Sequence, residues 1–242
     1  MILKQYISDT VTNVLAITFF VVALLSFGYA EYFDRLFIAF LLGASILNIK
    51  NANVLSIALI FLFERSIEEI IFFSSTLSFI KPLIYLLSLY VMRKLWYDGF
   101  VKRFVLPTIV VCIVCEVYWY LTGYNAPRIH SYIAMLMLNM ITRHLIFMRV
   151  PLFKSYQAKL LGKKTFSVTL QQTSVDLPLY SLAMGNALVV IAILAEYLVR
   201  HLTSFNPLVI YDLYPYMAHL LTTATLFFIT LLIIKSNPKL SA

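Results

Sequence analysis

Residues 53–75 read NVLSIALIFLFERSIEEIIFFSS, and the fold turns on how this stretch is placed. As a helix it is long enough to cross about 30 Å of hydrocarbon. It nevertheless carries Glu64, Arg65, Glu68 and Glu69. At 100° per residue these four side chains occupy an arc of roughly 140°, and Phe63, Ile67, Ile70 and Ile71 fill the rest of the circumference. A charge left unpaired at hydrocarbon depth costs roughly 2.5 to 3.5 kcal/mol on insertion scales. The stretch therefore predicts a transmembrane helix whose ionised side faces protein or a water-filled cavity. Arg65 could reach Glu69 one turn on, or Glu68 at i+3.

The flanking chain repeats the pattern without the charges. Hydrophobic residues make up 62% of 242 positions, charged ones 12%, and mean hydropathy is +0.89. Soluble domains are roughly one quarter charged, so water is not the solvent this sequence is built for. Apolar runs predict an all-α, polytopic transmembrane bundle of eight spans at 11–30, 33–49, 53–75, 76–96, 104–123, 129–150, 175–200 and 208–234. Asn48, Asp98-Gly99, Gly123, Pro151 and Asn206-Pro207 supply the turns between them. The first run could pass for a signal peptide, but its apolar core is too long, and it is read as a retained span. The whole chain, 1–242, is expected to be one integral membrane domain, multi-pass in a cell membrane (the inner membrane in a bacterium).

Basic residues report orientation. With eight crossings, both termini and every second loop share one side, and that side holds thirteen Lys and Arg, Lys4, Lys50, Arg93 and Arg149 among them. The other side holds Arg35, Arg128 and Arg200. Both termini are therefore expected to be cytoplasmic. The net charge of +8 reflects this distribution and does not indicate a nucleic-acid partner. The basic loop 151–174 is expected to begin as an amphipathic helix on the cytoplasmic membrane surface, its lysines drawn to anionic lipids, or to dock a soluble partner.

Three further stripes match the charged arc. Lys81, Tyr85 and Ser88 align on the fourth span, and Thr108, Cys112, Cys115, Glu116 and Trp119 on the fifth. In the last span Asp212, Tyr216, His219, Thr223 and Thr230 recur at helical spacing. The predicted cavity or ion-pathway residues are accordingly Glu64, Arg65, Glu68, Glu69, Lys81, Glu116, Asp212, Tyr216 and His219. They would line an acidic intramembrane cavity open to the outside.

No cofactor or metal is predicted. No H-E-x-x-H spacing occurs, and His130 and His144 lack the matching histidines on a second helix that paired haem ligation needs. Cys112 and Cys115 have dithiol spacing but lie in a helix body, where nothing lowers a thiol pKa, and are read as small hydrophobes. Glu68-Glu69 resembles the paired glutamates of the CAAX-protease-like membrane family, but Phe73 stands where that pattern has arginine. No family is assigned on so short a likeness.

Three functions remain open. The first is translocation of a proton, cation or small solute through the cavity. The second is a non-catalytic membrane subunit that binds a membrane-protein partner or a second copy of itself. The third is an intramembrane enzyme acting on a lipid-linked or peptide substrate, with Glu64 or Glu68 as base and His219 as its partner.

Overall fold

The computed structural model describes residues 2–26, 29–74, 80–124, 129–161 and 170–236. Among them it contains eight α-helices and no strand: α1 (Ile2–Leu25), α2 (Ala30–Leu47), α3 (Ala52–Ser74), α4 (Ile80–Lys94), α5 (Leu106–Thr122), α6 (Ile129–Leu161), α7 (Asp176–Leu202) and α8 (Val209–Ser236). A π-helical turn, Val101–Val105, leads directly into α5.

Four of these helices are long and apolar enough to cross a membrane: Val101–Thr122, Ile129–Ser155, Asp176–Leu202 and Val209–Ser236. This is consistent with a multi-pass membrane protein. The other four stop short of that standard for different reasons. The four charges of α3 interrupt its apolar run, and α2 carries Glu31, Asp34 and Arg35 within 18 residues. The described part of α4 has 15 residues, about 22 Å at 1.5 Å per residue. In α1 the described apolar portion is Ala16–Leu25.

Boundaries differ from expectation most at Pro151, read from sequence as a turn. In the structure α6 runs through it to Leu161. The proline removes one amide donor, to the Phe147 carbonyl, and its ring is tolerated on an exposed side of the helix. The first part of the predicted surface loop is thus helical. Residues 162–169, with Lys163 and Lys164, and the side chains of 156–161 lie outside the described residues, as does the junction drawn at 75–76.

The chain divides into two compact units. One comprises Met1–Arg65, Thr142–Leu182 and His219–Ala242, the other Ser66–Ile141 and Ala183–Ala218. In the first, Phe33, Phe37, Phe40, Leu41 and Ala44 form one buried face of α2. Their spacing of four, three, one and three residues is that of a helical stripe. Ala16 and Ala23 on α1 are buried with them, and small residues at such positions let helix backbones approach closely.

The core of the second unit is a stripe that runs through the π turn without a break: Val101, Val105, Ile109, Cys112, Cys115 and Trp119. It packs with Ile84 and Met92 of α4, Ile133 and Met137 of α6, and Val190 and Leu194 of α7. The other side of α5 exposes Val110, Val114, Val117 and Leu121. A contiguous exposed apolar surface of this kind is consistent with a helix that faces acyl chains.

Gly123 ends α5 with φ of +72°, a conformation strained for any residue with a Cβ. The Tyr124 amide then donates to the Trp119 carbonyl at 2.9 Å, and the Gly123 amide to Tyr120 at 3.3 Å, closing a Schellman-type cap. The turn brings the Tyr124 ring to 6.0 Å from Trp119.

Candidate functional site

In the first unit Arg65 is the hub of the charged arc. Its Nη1 lies 3.6 Å from Asp34 of α2, and its Nη2 donates to the Thr222 hydroxyl of α8 at 3.1 Å. The guanidinium also stands 5.6 Å from the centre of the Phe37 ring. One cation thereby links three helices. Glu64 beside it is buried, at 4% exposure.

His219, another predicted residue, is equally engaged in packing. Its Nε2 is 3.0 Å from the carbonyl of Ala23, and its ring stacks on Phe33 at 4.1 Å. A carbonyl only accepts, so Nε2 carries the proton. Ala23 belongs to the last turn of α1, where carbonyls have no partner within the helix. The Ala23 carbonyl accepts from the Ser26 hydroxyl at 3.2 Å and from His219.

The second unit brings together two residues that the sequence marks on separate spans. Lys81 Nζ lies 3.5 Å from Glu116 Oε1, joining α4 to α5, with side-chain exposures of 30% and 20%. Tyr85 follows Lys81 by one turn, and its hydroxyl is buried without a hydrogen-bond partner among the described residues, as is the indole Nε1 of Trp119. Trp119 sits within an aromatic group. Tyr197 is 6.3 Å away, His201 is 6.1 Å away, and Tyr132 is 6.2 Å from Tyr197. The Tyr124 hydroxyl meets His201 Nδ1 at 2.6 Å.

The remaining candidates are less enclosed. Glu68 is half-buried, while Glu69, Asp212 and Tyr216 are exposed. Glu69 stands at the edge of the 140° arc farthest from Glu64, which is why it emerges beside exposed Ile70. Cys112 and Cys115 are free, buried thiols. Among the described residues no group of three or more His, Cys, Asp or Glu is placed to hold a metal ion.

Two polar centres escaped the sequence reading. Arg149, counted there only as an orientation charge, is 4% exposed. Its Nη2 donates to both carboxylate oxygens of Asp176 and to the Gln171 carbonyl, and its Nη1 to Ser56 at 3.0 Å. Thr173 completes the arrangement. Its hydroxyl donates to Asp176 Oδ1 at 2.7 Å and its amide to Oδ2 at 3.1 Å. The spacing Thr173-x-x-Asp176 before an apolar helix is a capping-box pattern, and it was the available signal.

The second centre is Glu196, also buried. It accepts from the amides of Ile210 at 2.9 Å and Tyr211 at 2.7 Å, capping the first turn of α8 with a negative charge. No local sequence pattern links residues fourteen and fifteen positions apart on different helices.

Set beside known proteins, the chain matches no family model, no curated protein and no solved structure, so its function rests on the chemistry of these residues.

Proposed function

We propose that this is an eight-span membrane protein with both termini cytoplasmic, which translocates a proton, cation or small solute along a polar path in its second unit. The observation that carries the reading is the ion pair of Lys81 and Glu116. It joins α4 to α5, and the two side chains are 30% and 20% exposed although the pairing oxygen Oε1 is itself buried. In this topology α4 starts and α5 ends on the outer side. Glu116 is six residues short of Thr122, about 9 Å along the helix. An ionic contact at that depth is costly unless water or a solute reaches it, and an accessible pair can open and close. Glu68, Glu69, Asp212 and Tyr216 belong to the same unit and are taken in this reading as candidates for its outer approach. Glu64, Arg65 and His219 are assigned to helix packing, so the acidic cavity is smaller than the one expected from sequence.

Reconstitution tests the proposal. Proteoliposomes holding the native chain should dissipate an imposed proton or monovalent-cation gradient, and Glu116→Gln should slow this at least tenfold while the protein still elutes as a folded species. Equal rates for native and Glu116→Gln protein, or for native protein and empty liposomes, would overturn it.

A second reading, a non-catalytic subunit, is favoured by Glu69. A carboxylate exposed beside Phe63 and Ile70 is well matched by a basic residue on a partner's helix. A complex that survives purification and is lost with Glu69→Leu would establish it.

A further inference from the structure

In the second unit the pair of Lys81 and Glu116 has an aromatic residue one turn on along each helix, Tyr85 after Lys81 and Trp119 after Glu116. Trp119, one turn beyond Glu116 on α5, is 6.3 Å from Tyr197, which is 6.2 Å from Tyr132. Trp119 is 2% exposed, yet its Nε1 and the Tyr85 hydroxyl have no hydrogen-bond partner among the described residues. Buried donors left in this state mark a place where another molecule supplies the acceptor.

We infer that Glu116, Tyr85, Trp119, Tyr132 and Tyr197 form a binding site for an alkylammonium cation, and that the Lys81 ammonium occupies the cation's place when no ligand is bound. A carboxylate beside a group of aromatic residues is the chemistry that selects an organic cation over a hydrated metal ion. Hydroxyl and indole donors suit a ligand that also carries an oxygen acceptor. Lys81 is 30% exposed, and its long flexible stem lets the ammonium withdraw when a ligand displaces it. The inference deepens the proposed function by naming the class of cargo. It relies on that function for transport and not for binding.

The chain has two tryptophans, so Trp96→Phe leaves Trp119 as the sole indole reporter. In phosphatidylglycerol nanodiscs, tetramethylammonium chloride should change Trp119 emission saturably, while sodium chloride at equal ionic strength should not. Glu116→Gln should weaken the response at least tenfold and Glu116→Asp by less, whereas Lys81→Met should strengthen it by removing the internal competitor. Should Lys81→Met fail to fold, Lys81→Gln serves the same purpose.

Repeating the titration in phosphatidylcholine nanodiscs separates the sources. Emission already shifted there, in a manner sensitive to Glu116→Gln, would support the same site with a lipid headgroup as its occupant. No saturable response in either lipid, or a response indifferent to Glu116→Gln, would overturn the inference. Saturable binding without flux would sink translocation and leave this site standing. Flux without binding would do the reverse.

Discussion

One guanidinium nitrogen of Arg149 reaches both carboxylate oxygens of Asp176, at 2.8 and 2.6 Å. Asp176 opens α7, Arg149 lies in α6, and the second guanidinium nitrogen contacts Ser56 and Asn53 at the start of α3. The interaction therefore ties three helices within the first unit. It is satisfied on nearly every side, which is how a buried charge becomes tolerable.

Removing one member of such a buried pair costs about 3 to 5 kcal/mol, because the other charge is left without compensation. Arg149→Met should lower the midpoint of thermal unfolding in detergent sharply. Arg149→Lys should recover only part of the loss, since a single ammonium cannot serve Asp176, Ser56 and Gln171 together. A change within about 0.5 kcal/mol, the range of an ordinary surface substitution, would show that the network is not structural.

Glu196 makes a narrower prediction. Its two oxygens cap the amides of Ile210 and Tyr211, and loss of a helix cap costs about 1 to 2 kcal/mol. Glu196→Ala should accelerate hydrogen exchange at those amides by roughly tenfold or more, while amides in the middle of α8 stay protected. Uniform acceleration along α8 would mean that the carboxylate holds the whole helix and not its first turn.

For His219 the packing and pathway roles give opposite results. The bond to Ala23 and the ring stack on Phe33 are each worth about 0.5 to 1.5 kcal/mol. His219→Ala should therefore destabilise the protein by about 1 to 3 kcal/mol, and protein that remains folded should transport at near the native rate. Unchanged stability with abolished flux would return His219 to the pathway.

Helical periodicity in the sequence was a sound guide to which face a residue occupies. It placed Cys112, Cys115, Glu116 and Trp119 on one side of α5, and three of these are deeply buried with Glu116 at their edge. It located α7 and α8 to within about two residues, because long apolar runs ending in polar turns leave little freedom. The partner of each charge was not legible. Arg65 meets Asp34, thirty-one positions back, and Lys81 meets Glu116, thirty-five ahead, since neither separation is encoded locally. Pro151 misled for a related reason. The helix-breaking tendency of proline is weighed against the packing of a whole helix, and in α6 the packing prevails.

The most direct test of the account is whether water reaches Glu116 while the opposite side of the same helix faces lipid. In a Cys112→Ala, Cys115→Ala background, Glu116→Cys and Val114→Cys are each exposed, in sealed vesicles of known orientation, to a membrane-impermeant thiol reagent on the outer side. The account predicts modification at position 116 and protection at position 114, which is 62% exposed on the protein but would be covered by acyl chains. Reaction at 114 as fast as at 116, or no reaction at 116, would contradict it.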